Sequence, residues 1–574
     1  MRNRVVALAA VLCLAVFAGK KPAAESRQFL KQIPEDQKIL QALNRLTFGP
    51  RPGDVQAVKA VGLKVWIDRQ LHPESIPQNP ALADKLKTMD TLAMTGAEIV
   101  RSYPTPQVIQ AIARGQMPMP TDPDKKLLFG RMVERYRNAQ NAGGNPNGPP
   151  PPDAKKLAEI LTREQLSTMR QGTPQQRVEI LLTLPKETQD DAIAAMPGGM
   201  RQSMFNAAPA ELRRRIEMVN GPQQIIARDL MEGKLLRAVY SDRQLEEVLT
   251  DFWFNHFNVF LDKGADRYLV TEYEREAIRP HVLGKFKDLL TATAKSPAML
   301  FYLDNWQSVG PNAPQGRGPG GSARGLNENY GRELLELHTL GVDGGYTQKD
   351  VTEAARCFTG WTIFQPQRVG TFVFNARAHD RGEKTVLGVT IPAGGGMEDG
   401  EKVLDIVAHH PATAHFISRK LAMRFVADDP PEALVGRMAA TFTKTDGDLR
   451  AVMKTMLESK EFFSQAAYQS KMKSPLEVVA SAARAVNAEI DFAFPLANQV
   501  AQLGEPLYRK QEPTGYSNNS QEWLNSAGLM ARMNFALQLA DNKVPGVKVD
   551  ASKFARPDDP IAGIALGSPE FQKR

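Results

Sequence analysis

Cysteine is nearly absent: Cys13 and Cys357 are the two in 574 residues. No disulfide framework can be built from them, so the chain depends on its core, which a length of this order permits. Aromatic residues make up 7% of the chain, too few for a carbohydrate-stacking surface rich in exposed rings. Outside the N-terminus no apolar run approaches the ~20 residues that a spanning helix needs, which excludes a polytopic membrane protein. No dense Lys/Arg run interleaved with aromatics occurs, which disfavours nucleic acid as a partner. The GxSxG elbow, the Walker loop, paired CxxC and GxGxxG after a strand are also missing, and with them the chemistries those patterns serve.

What is present is ordinary for a globular protein, with 42% hydrophobic and 24% charged residues. The length implies two or more structural units or one large helical body with insertions. In "MRNRVVALAAVLCLAVFAGKK", Arg2 and Arg4 precede an apolar run from Val5 to Ala18, too short for a stable anchor and followed by a small-residue cut site. The reading is a signal peptide over residues 1–18, hence an exported protein, periplasmic or extracellular, with no transmembrane anchor after cleavage. Cleavage would remove Cys13 and two arginines, leaving Cys357 alone and the formal charge of +8 reduced, which is weak support for any polyanion.

The organisation is mainly α, a large multi-helical body with one small β-hairpin and a short-helix repeat insertion. Residues 26–138 read as an N-terminal helical region, on the three- and four-residue apolar spacing of residues 35–71, broken by "GPRPGD". "NAGGNPNGPPPPD" cannot pack, because proline removes donors and no apolar side chain offsets ordering, so 139–153 reads as a linker. Over 154–222 prolines at 174, 185, 197 and 209 each open a short helical unit, and units this short must stack on neighbours. The main helical domain covers 223–545, with a flexible Gly/Pro-rich loop at 310–325, and 546–574 is a C-terminal tail. "TFVF" at 371–374 and "KTVLGVTI" at 384–391 supply the strand signals, read as one hairpin over 371–391.

Residues 327–341, "NENYGRELLELHTLG", concentrate the chemistry. At about 100° per residue, Asn329, Arg332, Glu333 and Glu336 form one polar stripe on a helix whose other sides carry leucines. Arg332 stands one turn from Glu336 and is expected to pair with it, leaving Glu333 in search of a partner. His338 projects away, so an HExxH metal pair is not formed, and no metal site or cofactor is read. In the following "GYTQKDVTEAARCFTGWT", Thr347 and Asp350 form a capping-box pattern, and Glu353 and Arg356 are spaced to pair. This second helix is the expected source of a counter-charge for Glu333. His256 and Asn258 in "FWFNHFNV", Asp304 and Asn305 in "YLDNWQS", and His379 and Asp380 in "RAHDRGEK" complete the reservoir of acids, amides and imidazoles. Lys420 and Arg424, one turn apart, read first as a solvated helix face and second as a place for an anionic group.

Several segments together resemble the bacterial domain-of-unknown-function 1800 family: "LNRLTFGPRPGDV", "DFWFNHFNVF", "SPAMLFYLDNWQSVGPN", the 327–341 helix with its successor, "AHDRGEKTVLG", "FISRKLAMRFVADDPP", "TDGDLRAVMKTMLESKEFF" and "WLNSAGLMARMNFAL". The resemblance implies an exported, mainly helical bacterial protein, often encoded beside a sulfatase-like partner (domain of unknown function 1501). It assigns no activity and no residue role. Two expectations follow for function. One is a hydrolase-like or polymer-modifying enzyme acting on an extracellular or envelope polymer, with Glu333 and Glu336 as acid/base candidates and Asn329, His338, His256 and Asp304 as further candidates around the site. The other is a non-enzymatic envelope or secretion component that binds the sulfatase-like partner.

Overall fold

The computed structural model describes residues 28–141, 153–311, 313, 325–550 and 562–574. The expected signal peptide and most of the expected 139–153 linker and 310–325 loop lie outside the described residues.

Helix formation follows the apolar spacing closely. In Glu35–Leu46, Ile39, Ala42, Leu43 and Leu46 are buried, the i, i+3, i+4, i+7 stripe of an amphipathic helix. Gln223–Tyr240 is buried on nearly all sides. Against it and the following Gln244–His256 helix packs a continuous core that includes Trp253, Phe257, Phe286, Phe358 and Trp361. Each large side chain fully buried there contributes roughly 1.5–3 kcal/mol. Because the Gln223–Tyr240 helix has no free side, Asp229, Glu232 and Lys234 are buried with it and must find partners inside. Asp229 takes Arg214 at 3.1 Å, and Lys234 takes Asp251 at 2.7 Å.

Between residues 153 and 220 six short helices surround a small core of their own, with Met169, Leu181, Ile193, Met196, Met204 and Ile216 at its centre. Pro174 occupies the first turn of its helix, and Pro185, Pro197 and Pro209 immediately precede theirs. At these positions the missing N–H is not needed.

Among the described residues three small antiparallel two-stranded sheets accompany the helices, not one hairpin. Thr371–Phe374 pairs with Trp361–Phe364, whereas Lys384–Val386 folds back on Val389–Ile391. The reason is local: Leu387 (φ 50°) and Gly388 (φ 77°) are both left-handed, the backbone of a two-residue hairpin turn. "KTVLGVTI" is therefore two strands with "LG" as their turn. The third pair joins Glu489–Ile490 to Val547–Lys548. Among the described residues no helix is long and apolar enough to cross a membrane.

Candidate functional site

The helix of the 327–341 segment is α-helical only over Asn329–Glu333, and Leu334–Thr339 widens into a π-turn. The Thr339 hydroxyl donates to the Leu334 carbonyl at 2.6 Å, and the Leu340 N–H to Leu335 at 2.9 Å, both five residues back. Inserted π-turns recur at functional sites. Here the wider turn takes Glu336 out of vertical register with Arg332. Arg332 instead pairs with Glu328 at 3.2 Å and donates to Gln348 Oε1 at 3.1 Å. The expected Arg332–Glu336 pair does not form. Glu328 is further held by Gln348 and by the Thr352 hydroxyl at 2.7 Å. Glu336 accepts from the Tyr346 hydroxyl at 3.2 Å, and Asn329 is exposed at the helix start.

Glu333 is half-buried and makes no hydrogen bond or ion pair among the described residues. Burial, and then the neighbouring Glu336, push its carboxyl up from the usual range against the pull of Arg332. Its charge is also felt by the Tyr302 hydroxyl, which donates to the Gln511 carbonyl at 2.6 Å.

His338 points into the core, where it meets His256 and not the carboxylates. The two rings are 6.2 Å apart, and His256 Nε2 lies 3.1 Å from the His338 carbonyl, so that nitrogen carries the proton. His256 Nδ1 and His338 Nε2 are buried without partners. Burial lowers both pKa values, that of His338 to about 3, with the Lys420 ammonium adding to the effect. Lys420 is itself pushed down to about 8 by burial. Both imidazoles are neutral at physiological pH.

The amides act as fasteners. Asn258 Nδ2 donates to the carbonyls of Lys510 and Glu512, each at 2.9 Å. Asn305, fully buried, donates to the carbonyls of Phe358 and Trp361 at 3.1 and 3.2 Å. Asp304, at left-handed φ, pairs with Lys263 at 2.8 Å.

Glu353, Arg356, His379 and Asp380 do converge, but on each other. Arg356 bonds Glu353 at 2.8 Å and Asp380 at 2.7 Å. His379 donates from Nδ1 to the Thr359 carbonyl at 2.7 Å and places Nε2 3.1 Å from Asp399, which also takes Lys384 at 2.7 Å. This closed network clamps the 371–391 region to the Gln348–Cys357 and Glu398–Ala408 helices. With Arg356 consumed, the second helix supplies no counter-charge to Glu333, contrary to the sequence-based expectation. Burial pushes the Cys357 thiol beside it up to about 12, which leaves it unreactive. Among the described residues no group of three or more His, Cys, Asp or Glu side chains is placed to hold a metal ion.

Two polar cavities lie elsewhere. One, of about 60 Å³, is walled by Lys234, Asp251, Arg424, Lys471, Glu477 and Arg574, with Glu505 among its further lining. The other, of about 250 Å³, opens where the short-helix array meets the body, between Glu217, Arg228 and Glu232. Burial raises both of these glutamates to about 7. The Arg228 guanidinium lies 4.3 Å from the rings of both Phe205 and Phe494.

A family model described as a protein of unknown function (DUF1800) matches residues 41–572. The chain belongs to this family. No curated protein and no solved structure matches it.

In this DUF1800 protein three of the segments that carry the resemblance meet at the smaller cavity. "DFWFNHFNVF" supplies Asp251, Asn255 and Asn258, "FISRKLAMRFVADDPP" supplies Arg424, and "WLNSAGLMARMNFAL" begins at Trp523 on its rim. Sequence reasoning named Asn258 and Arg424 separately but did not bring them together at this place. One signal was available: Asp251, Asn255 and Asn258 recur at i, i+4, i+7, a polar stripe within an aromatic helix end. Tyr302, Tyr346 and Glu505 carried no comparable signal.

Proposed function

We propose that this DUF1800 protein is exported and acts as a hydrolase-like acid/base enzyme on an extracellular or envelope polymer, with Glu333 and Glu336 as the working carboxyls. The observation that carries the reading is the environment of Glu333. It is a half-buried carboxyl with no hydrogen bond or ion pair among the described residues, its proton affinity raised by burial and by a second carboxyl three residues on, more than the Arg332 charge lowers it. Glu336, by contrast, accepts a hydrogen bond from Tyr346. Such asymmetry divides labour between an acid and a base. Glu333 gives its proton to the leaving oxygen as the scissile bond breaks. Glu336 takes one from the attacking water, whose oxygen completes the new bond. His338 has no part in this step, being buried, neutral and turned toward His256. The N-terminal "MRNRVVALAAVLCLAVFA" supports export.

The test is hydrolysis by the purified mature protein of a panel of extracellular and envelope glycans. Loss of one member of an acid/base pair costs roughly 10²–10⁴-fold. Glu333→Gln and Glu336→Gln are each expected to fall by at least that lower factor with unchanged circular dichroism. Equal turnover by all three proteins removes both residues from the mechanism.

A second reading rests on the Ser526–Ala540 helix, which exposes Leu529, Met530, Met533 and Leu537 along one face, with Leu524 just before it. An apolar row of this kind suits a protein partner, here the sulfatase-like (domain of unknown function 1501) protein expected beside this family. Co-purification of the two, abolished by Met530→Glu, supports that reading; association that survives the substitution counts against it.

A further inference from the structure

The smaller cavity has an unbalanced wall. Lys234 and Asp251 neutralise each other at 2.7 Å. Arg424 and Arg574, however, lean on the same oxygen of one carboxylate, Glu477, the second at 2.8 Å. Lys471 reaches Asp428 and the Asn518 carbonyl.

Behind this wall lie three more buried cations without a carboxylate in contact. Arg45 gives its guanidinium to the Val426 and Ala467 carbonyls and the Ser470 hydroxyl. Arg532 donates to the Gln572 amide oxygen at 3.1 Å. The Lys473 ammonium stands 3.7 Å over the Phe571 ring. Arg45, Arg424, Lys471, Lys473, Arg532 and Arg574 thus face Asp428 and Glu477. Cations remain in excess even with Glu505 counted as charged. Burying that surplus without a counter-ion is costly.

Three further observations aim the surplus at the cavity. Arg574 is 4% exposed, and its Nε–H has no acceptor, an expensive vacancy for a charged donor. The Pro475–Ala485 helix begins at the wall with Ser474 as its cap; its first N–H groups are taken by Glu505 and Ser474, and the positive end of its dipole lies beside the cavity lining. The cavity measures about 60 Å³, several times the ~10–15 Å³ that one water requires. That is room for a group of a few heavy atoms. Burial drives Lys473 down to about 7 and Lys471 to about 8, the response of ammonium groups that lack sufficient negative charge nearby.

We propose that this cavity binds a small oxyanion group, a carboxylate, sulfate or phosphate, held by Arg574, Arg424 and Lys471. The group is either a free ion or the acidic end of a larger ligand such as a sugar acid. The site is separate from the Glu333–Glu336 pair and stands whether or not that pair is catalytic.

Calorimetric titration of the full mature protein with phosphate, sulfate, acetate and glucuronate, each against sodium chloride at matched ionic strength, tests this. At least one is expected to bind saturably at one site, and Arg574→Gln to weaken it at least tenfold with an unchanged circular dichroism spectrum. Binding of glucuronate but not acetate identifies the acidic end of a larger ligand, and the inorganic ions alone identify a free one. No saturable binding beyond chloride, or undiminished binding by Arg574→Gln, overturns the proposal. If that variant does not fold, wild-type crystals soaked in selenate decide: an anomalous peak between Arg574, Arg424 and Lys471 upholds the site, and a cavity without one refutes it.

Discussion

Gly331 lies so close to the backbone of Val351 that a Cβ added to it would stand 2.9 Å from the Val351 carbonyl oxygen and 3.0 Å from the Ala355 nitrogen. The glycine therefore sets the separation of the two helices that carry Glu333 and Arg356. Backbone on both sides leaves nothing soft to yield. Gly331→Ala is expected to lower stability by about 1–3 kcal/mol, the usual cost of overpacking, despite alanine's better helix propensity. Urea unfolding followed by circular dichroism measures it, and a midpoint equal to wild type would show that the helices can part freely.

The clamp at Arg356 should be far less forgiving. Burial alone would raise the Asp380 carboxyl, yet the Arg356 hydrogen bond and the Gly382 N–H hold it below the usual range. Arg356→Ala leaves Asp380, 2% exposed in its side chain, without its cation. Removing one partner of a buried pair costs about 3–5 kcal/mol. Because the folded-state pKa is depressed, this stabilisation is complete above the unfolded value of ~3.9 and disappears as pH falls through the folded one. The gap between wild type and Arg356→Ala in urea midpoint should be wide at pH 7 and narrow below pH 4. A gap that does not change with pH would locate the effect in packing alone.

What the sequence made legible was local. The Glu353–Arg356 pair and the Thr347–Asp350 capping box need only neighbours along one helix, and both are present. The proline-opened helices between 174 and 220 follow from backbone chemistry that acts within a single turn. The π-turn was not legible, since a threonine hydroxyl on a helix ordinarily reaches three or four residues back, and only the packing of this segment directs Thr339 to Leu334. The Arg332–Glu336 expectation failed for that reason. The charged cavity was hidden more deeply. Its walls come from positions as distant as Lys234, Arg424, Glu505 and Arg574, and the charge surplus exists only in their sum.

Glu505 ties that surplus to pH. Burial, and then Asp251, raise its carboxyl to about 8, although the Leu476 N–H donates to it at 2.8 Å. The folded protein therefore keeps a proton that the unfolded chain releases above ~4.3. Between that value and about 8 the native state binds the extra proton, so rising pH must erode stability, by up to ~1.4 kcal/mol per pH unit for one proton. Glu505→Gln preserves an acceptor for Leu476 and cannot ionise. It should match wild type near pH 4.5 and be the more stable protein at pH 8, with the difference growing steadily between. Urea midpoints at pH 4.5, 6.5 and 8 give the answer, and parallel pH profiles would mean that Glu505 is ionised in the folded state. In the range where the carboxyl stays protonated it adds no negative charge to the cavity, where Arg424 and Arg574 share the one carboxylate of Glu477.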